Sequence, residues 1–364
     1  MAKADTAATT AVIESHTKQK GYQIMMTEIP VQQAVGRVLF HDITRIVPGE
    51  FHGRAFKKGH IIAPNDIDTL LKLGKDNIYV LNLSDGYIHE DAAALRIAKA
   101  ALGSGIQMMP PTEGKVRLMT TRAGLLKVNV AALDRINAID QIVFATAHTN
   151  RRVAAKKLVG GTRIIPLYTE EEKIVAVENI CRDCGPIIEV VPFKKLHVGI
   201  VTTGNEVYNQ RIEDKFGPVM MAKIKELGSS VLRQILVPDN VAMTVQAIHD
   251  LLGEGAGMIV VTGGMSVDPD DRTPASIRAA GGREVTYGSP TFPGAMFMLA
   301  YIGDIPVVGV PGCAMYNKAT VFDLLVPRIL AGDRLTRNDI TGLGHGGLCL
   351  GCSDCRFPQC GFGT

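Results

Sequence analysis

The stretch MIVVTGGMSVDPDDRTPASI, residues 258–277, decides the fold. Met258, Ile259, Val260 and Val261 are a short apolar run, the pattern of a strand buried on both faces of a parallel sheet. The run ends on Thr262-Gly263-Gly264. Glycines at the C-terminal end of such a strand let backbone N–H groups come close to an anion. Ser266, the carboxylates Asp268, Asp270 and Asp271, and Thr273-Pro274 follow. Thr273 is expected to cap a helix that has Pro274 at its first position. One loop then combines a phosphate cradle with a carboxylate cluster, a combination suited to Mg²⁺ held by one or two carboxylates plus substrate oxygens. Taken alone, the loop reads as an acidic surface turn, so its neighbours decide its reading.

Those neighbours repeat the pattern. Strand HVGIV (197–201) leads to Thr202-Thr203-Gly204-Asn205-Glu206, with a helix over 219–227 ending at Gly228. Strand 230–237 leads to Pro238-Asp239-Asn240 and a helix over 241–252. After strand 258–261 comes a helix over 274–280. Strand 306–310 leads to Pro311-Gly312 and a helix over 314–330. Strands alternating with helices imply βαβ units: an α/β fold, a three-layer αβα domain with a mostly parallel sheet. In such sheets ligands bind at the C-terminal ends of the strands. All four strand-to-helix loops fall at that edge, which turns an acidic turn into a candidate active site.

The rest of the chain is organised around this unit. The 364 residues suit two or three domains. Residues 1–20 read as a leader and 21–110 as a smaller N-terminal α+β region. Residues 111–195 read as a middle α/β region, 196–335 as the main domain and 336–364 as a glycine- and cysteine-rich tail. In the N-terminal region an amphipathic stretch over 31–35 precedes a strand over 37–43. A helix capped at Asn65 or Asp66 runs to Leu73, with Gly74 after it, and a strand covers 78–81. A helix over 90–102 follows. His41, His52, His60 and His89 match no metal-ligand spacing and are read as structural or surface histidines. In the middle region, strands are expected over 115–121, 125–129 and 141–145, and helices over 130–137 and 170–181. Arg151, Arg152, Lys156 and Lys157 are expected on a helix-like segment as a solvated basic face. Cys181 and Cys184 form a lone C-x-x-C without a thioredoxin-like pattern, read as incidental.

Composition narrows the function classes. With no Trp, 5% aromatics and a net charge of +3, neither stacking platforms nor a basic surface for nucleic acid is expected. No apolar run approaches the 18 or so residues of a membrane span. The first twenty residues are polar and lack the apolar core of a secretory signal, so a cytoplasmic location is expected. Four of the seven cysteines, Cys349, Cys352, Cys355 and Cys360, lie in the last sixteen residues. Their spacing, C-x2-C-x2-C-x4-C, suits an iron–sulfur cluster or structural zinc, and spacing does not choose between them.

Four motifs, TTGNEV (202–207), VPDN (237–240), TGGMSVDPDDRTP (262–274) and GVPG (309–312), together resemble the molybdopterin-binding domain of molybdenum-cofactor biosynthesis. Molybdopterin adenylyltransferases and molybdopterin molybdotransferases share that domain. The resemblance covers about residues 195–335. AVGRVL (34–39) and GHIIAPNDIDTLLKLGKDNIYV (59–80) look like segments that flank the substrate site in the molybdotransferases. The resemblance implies that Gly263, Gly264, Met265 and Ser266 receive the pterin or its terminal phosphate. Thr203, Gly204, Asn205, Glu206, Asp268 and Thr273 would line the same pocket, which Pro311 and Gly312 would close. Asp239 and Asp271 would be the catalytic, Mg²⁺-holding pair. The implied ligand is molybdopterin or its adenylate, and a homo-oligomer is expected from the family habit. Two departures stand out. An acidic, glycine-containing motif of the molybdotransferases is replaced by PGEFHGRAFKKG (48–59), and the Pro-Gly loop continues with Cys313-Ala314 in place of Asn-Pro. The sequence therefore leaves two functions open. One is a transferase of cofactor assembly; the other is a non-catalytic protein that delivers the cofactor to a molybdoenzyme or another assembly protein.

Overall fold

The computed structural model describes residues 26–47, 51–81 and 86–364. The expected leader 1–20 lies outside the described residues.

The C-terminal unit is the αβα sandwich that the sequence predicts. Its strands are β1 (His197–Thr203), β2 (Ser230–Val237), β3 (Met258–Thr262), β4 (Arg283–Tyr287), β5 (Met298–Ile302) and β6 (Ile305–Val310). Its principal helices are α1 (Phe216–Glu226), α2 (Val241–Gly253), α3 (Thr273–Ala279) and α4 (Val321–Leu330). The sheet order is β2-β1-β3-β6-β5-β4. The first four strands are parallel, with Thr202 opposite Thr262 and Thr262 opposite Val310. The last two are antiparallel additions that the sequence reading missed.

The layers follow from strand alternation. Met258 and Val260 point into one core, with Met220 and Ile224 of α1 and Phe322, Leu325 and Val326 of α4. Ile259 and Val261 point into the opposite core, with Ile248 and Leu251 of α2 and Ile277 of α3. Every residue of β3 is buried, which explains why its sequence is a continuous apolar run rather than an alternation.

The expected helix over 314–330 is corrected. A 3₁₀ turn at Gly312–Met315 comes first, and α4 starts only at Val321. The break is local chemistry. Thr320 and Asp323 form a capping box, with the Thr320 N–H donating to Asp323 at 2.8 Å. The Asn317 side chain donates to the Cys313 carbonyl at 2.8 Å and closes the preceding turn.

Two smaller bodies precede this unit. Residues 26–81 include a three-stranded antiparallel sheet and the helix Asp66–Lys72 around Leu39, Ile62, Leu70 and Val80. Residues 87–191 hold a four-stranded and a three-stranded sheet with helices Glu90–Ala101, Val130–Asn137 and Glu171–Cys184 around a common core. The helix-like reading of Arg151–Lys157 is corrected. Arg151–Val153 is a strand opposite Gly124–Leu126. Asn150 and Lys156 bracket it with positive φ of 61° and 60°, a backbone state incompatible with a helix. Lys127 pairs with Asp333 at 2.6 Å and Arg152 with Glu226 at 2.8 Å, tying this body to the C-terminal unit. No helix among the described residues is long and apolar enough to cross a membrane.

Candidate functional site

The C-terminal ends of β1, β3 and β6 open into a cavity of about 1170 Å³. Nine of the fourteen pocket residues expected from the sequence line it: Thr203, Glu206, Gly263, Gly264, Met265, Ser266, Asp271, Pro311 and Gly312. The other five, Gly204, Asn205, Asp239, Asp268 and Thr273, stand behind or beside the wall.

The Gly-Gly loop is built so that only glycine fits. Gly263 has φ 85°, and a Cβ there would overlap the Thr203 carbonyl oxygen. Gly264 has φ 53°, and its Cβ would come within 3.0 Å of the Thr273 hydroxyl. The loop is braced from three sides. Thr273 Oγ1 donates to the Gly263 carbonyl at 2.8 Å, and the Thr273 N–H donates to the Gly264 carbonyl at 3.1 Å. The Tyr287 hydroxyl donates to the Met265 carbonyl at 3.0 Å. Burial first, then the Asp271 charge, push the Tyr287 pKa up, so the phenol remains a donor. The cap expected of Thr273 is corrected. It is the first residue of α3, Arg272 holds the N-cap position, and no side chain caps the helix. The hydroxyl is instead spent on the loop it follows.

The carboxylates form a second group. The Asn205 N–H donates to Asp239 Oδ2 at 2.9 Å, and the Asp239 N–H donates back to Asn205 Oδ1 at 3.3 Å. This reciprocal pair locks the TTGNEV loop to the VPDN loop. Burial raises the Asp239 pKa. The Asn205 hydrogen bond opposes the rise, and Glu206, Asp270 and Asp271 add to it, so the net shift is upward. Three acidic side chains thus act on the one Asp239 carboxyl. Asp271 Oδ2 accepts from the Asp268 N–H at 3.1 Å, while Asp268 itself faces solvent. Among the described residues, the cavity lining holds Glu206, Glu213, Asp214 and Asp271 against one cation, Lys215. Asp214 is committed to structure. It accepts from the Phe216 N–H at 2.8 Å, where α1 begins, and from Gln234 at 2.6 Å.

A further part of the cavity wall escaped the sequence reading. It comprises Phe292, Pro293, Gly294, Ala295 and Met296, from the β4–β5 connection, with Cys313, Met315 and Tyr316. Phe292 is 61% exposed and Tyr316 84% exposed, so both present apolar surface at the rim. The run SPTFPGAM (289–296), with two prolines and a glycine around an aromatic residue, was the available signal. Burial raises the pKa of Cys313, which keeps it a thiol.

Among the described residues, no three His, Cys, Asp or Glu side chains stand together in position to hold a metal ion. The four tail thiols are free cysteines, with Cys352 and Cys355 exposed. In the isolated C-x-x-C, Cys181 is buried, and burial pushes its thiol up to about 11. His60 pairs with Asp66 at 2.6 Å and His89 contacts the Gly59 carbonyl at 3.2 Å, both structural roles.

Residues 199–331 match the model of a family described as a probable molybdopterin binding domain. That stretch of the chain is a molybdopterin-binding-family domain. It coincides with β1 to α4, the elements that carry the cavity. Residues 28–82 match a second model, a domain of unknown function (DUF8806). The chain is 30% identical over 95 residues to a molybdopterin adenylyltransferase of Pyrococcus furiosus, a stretch that is 26% of this chain and 56% of that relative. It is 34% identical over 87 residues to a CinA-like protein of Mycobacterium sp. (strain MCS), 24% of this chain and 21% of the relative. Among solved structures, the tungsten cofactor synthesizing protein MoaB from Pyrococcus furiosus aligns with 20% identity and a TM-score of 0.33, covering 39% of this chain and 99% of that one. The chain thus spans about half of the adenylyltransferase and about a fifth of the CinA-like relative.

Proposed function

We propose that the cavity binds molybdopterin, as its phosphate or adenylate, and that the protein is a transferase of molybdenum-cofactor biosynthesis of the adenylyltransferase or molybdotransferase type. The observation that carries this reading is one cavity lined at the same edge by the Gly263-Gly264 loop and by Glu206 and Asp271. Glycine backbone can approach a phosphate, and Phe292, Met315 and Tyr316 offer apolar surface to a flat heterocycle.

The charge balance supports a cation. A phosphorylated ligand entering a cavity with four carboxylates and one lysine is repelled unless a cation screens it. Mg²⁺ is held through one or two carboxylates with substrate oxygens completing its shell. Two carboxylates at this edge could serve: Asp271 lies in the lining, and Asp239 stands beside it, its pKa raised first by burial and then by its acidic neighbours. In this reading Asp271 and Asp239 hold the ion where phosphoryl charge develops. The tail cysteines enter the same reading as thiolate donors for zinc or an iron–sulfur cluster.

A non-catalytic delivery protein is the second reading, favoured by one observation. Asp239 and Asp271 each already accept a backbone N–H that braces a loop, a role that needs no turnover. Assays of ATP with molybdopterin, and of adenylylated molybdopterin with molybdate, both with Mg²⁺, separate the two. The transferase reading expects turnover that Asp271→Ala reduces at least about 100-fold, the scale of a lost transition-state charge contact. Tight binding without turnover, unchanged in Asp271→Ala, sinks it in favour of delivery.

A further inference from the structure

The four tail cysteines sit on one loop whose ends are fixed and whose middle is not. The Gly363 N–H donates to the Gly346 carbonyl at 2.9 Å, closing residues 346–363 into a ring. Glycine is required on both sides of the closure. A Cβ on Gly346 would overlap the Thr364 carbonyl, and one on Gly363 would overlap Leu324 of α4. The first cysteine is anchored by its own N–H, which donates to the Phe292 carbonyl at 2.7 Å. The last is anchored through its carbonyl, which accepts from Arg151. Between them the chain is bare. Among the described residues, no backbone N–H from Leu350 to Phe357 has a hydrogen-bond partner. Leu350 is 84% exposed, and in residues 348–364 only Phe362 is buried. A structureless ring of this length with so little core lacks an internal source of order. Small cysteine-rich segments gain that order from a metal.

This ring is paired with a residue of the pocket wall. The Phe292 N–H donates to the Gly347 carbonyl at 2.8 Å, so Phe292 and Leu348 form a parallel bridge at the cavity rim. On its far side, Cys355 and Phe357 wall a second cavity of about 440 Å³ that shares Val219, Met315 and Tyr316 with the first. The ring therefore pairs with one lining residue of the ligand cavity, Phe292, and walls the neighbouring cavity through Cys355 and Phe357.

We infer that Cys349, Cys352, Cys355 and Cys360 take up a thiophilic metal, as zinc or an iron–sulfur cluster, and that the loaded ring fixes the pocket wall at Phe292. The anchored outer cysteines set the frame, and the free segment carrying Cys352 and Cys355 closes round the metal. Loading then stiffens the Phe292–Leu348 bridge, and by linkage ligand and metal favour each other. The consequence for the ligand rests on the pterin reading; the metal site and its grip on Phe292 do not.

The test uses the full chain, reduced and without added ligand. Co²⁺ and Zn²⁺ are titrated, and Fe²⁺ with sulfide is reconstituted anaerobically. Thiolate-to-metal absorption and amide exchange over residues 290–297 are followed. The expected result is one metal centre per chain and exchange at the Phe292 amide slowed about tenfold. Cys352→Ser abolishes both. Gly347→Ala, whose Cβ would overlap the Pro290 and Leu343 carbonyls, keeps the absorption band but loses the slowing at 290–297. No thiolate band with any of the three probes overturns the inference, as does a metal centre that leaves exchange at 290–297 unchanged. Molybdopterin binding is measured separately. Its absence alongside a metal-dependent Phe292 amide defeats the pterin reading and leaves this one standing.

Discussion

Two glycine-rich loops bear on the same cavity, one lining it and one paired with its lining residue Phe292, and they use glycine for opposite ends. At Gly263 and Gly264 the surrounding structure is already fixed. Strands β1, β3 and β6 deliver the loop, and Thr273 and Tyr287 hold its carbonyls. Glycine there makes room for a backbone path that leaves no space for a side chain. In the tail, glycine closes a ring, yet among the described residues no backbone N–H from Leu350 to Phe357 has a partner. The comparison separates two kinds of site. One is organised by its fold before any ligand arrives. The other has only its ends organised and must obtain its remaining order from what it binds.

The largest effect is expected where the fold leaves no freedom. Gly263→Ala adds strain at φ 85° and an overlap with Thr203, so it should cost about 2–3 kcal/mol in urea unfolding. A loss under about 0.5 kcal/mol would show that the loop is as pliant as the tail. Tyr287→Phe removes one brace and should cost about 1 kcal/mol, with the change in amide exchange confined to the Gly-Gly loop.

Asp239→Asn should act in the opposite direction at neutral pH. The folded carboxyl titrates above its ordinary value of 3.8, through burial and its acidic neighbours. Its favourable contribution is complete below that value and disappears as pH rises through the raised folded pKa. Above that window, Asp239→Asn should stabilise by on the order of 0.5 kcal/mol, the scale of a solvent-screened charge contact. The gain should vanish on going below pH 3.8 and shrink when Mg²⁺ is added. A gain independent of pH would contradict the upward shift of the Asp239 carboxyl. The smallest effect belongs to the ring. Gly351 has φ 65° with open space around it, and Gly351→Ala should change global stability by less than about 0.5 kcal/mol. A larger loss would mean that the ring is folded as firmly as the pocket.

The same contrast explains what could be read in the sequence. β3 was legible because a strand buried on both faces is a continuous apolar run, and its burial is complete. The helices α2 and α3 were legible to within a residue or two from their Asn, Pro and Gly signals. The Gly-Gly loop was legible because its glycines answer to a backbone requirement that tolerates nothing else. Strands β4 and β5 were not, because an antiparallel edge pair in a parallel sheet breaks the βαβ rhythm that guided the reading. The role of Thr273 was misread for a related reason. A Thr before Pro is a cap by local grammar, and only the return of the Gly-Gly loop over it supplies the carbonyl that takes its hydroxyl. The wall around Phe292 was missed because that segment meets the cavity, and the tail more than fifty residues away, only through tertiary contacts.

Equilibrium binding of molybdopterin to the full chain, with and without Mg²⁺, tests the central claim most directly when the wild type is compared with Gly263→Ala and Asp271→Asn. One pterin per chain is predicted, with affinity rising at least about tenfold on adding Mg²⁺, or about 1.4 kcal/mol. Asp271→Asn should lose the Mg²⁺ response, and Gly263→Ala should lose binding altogether. Binding that is absent in the wild type, or that survives both substitutions unchanged, would contradict the assignment of this cavity.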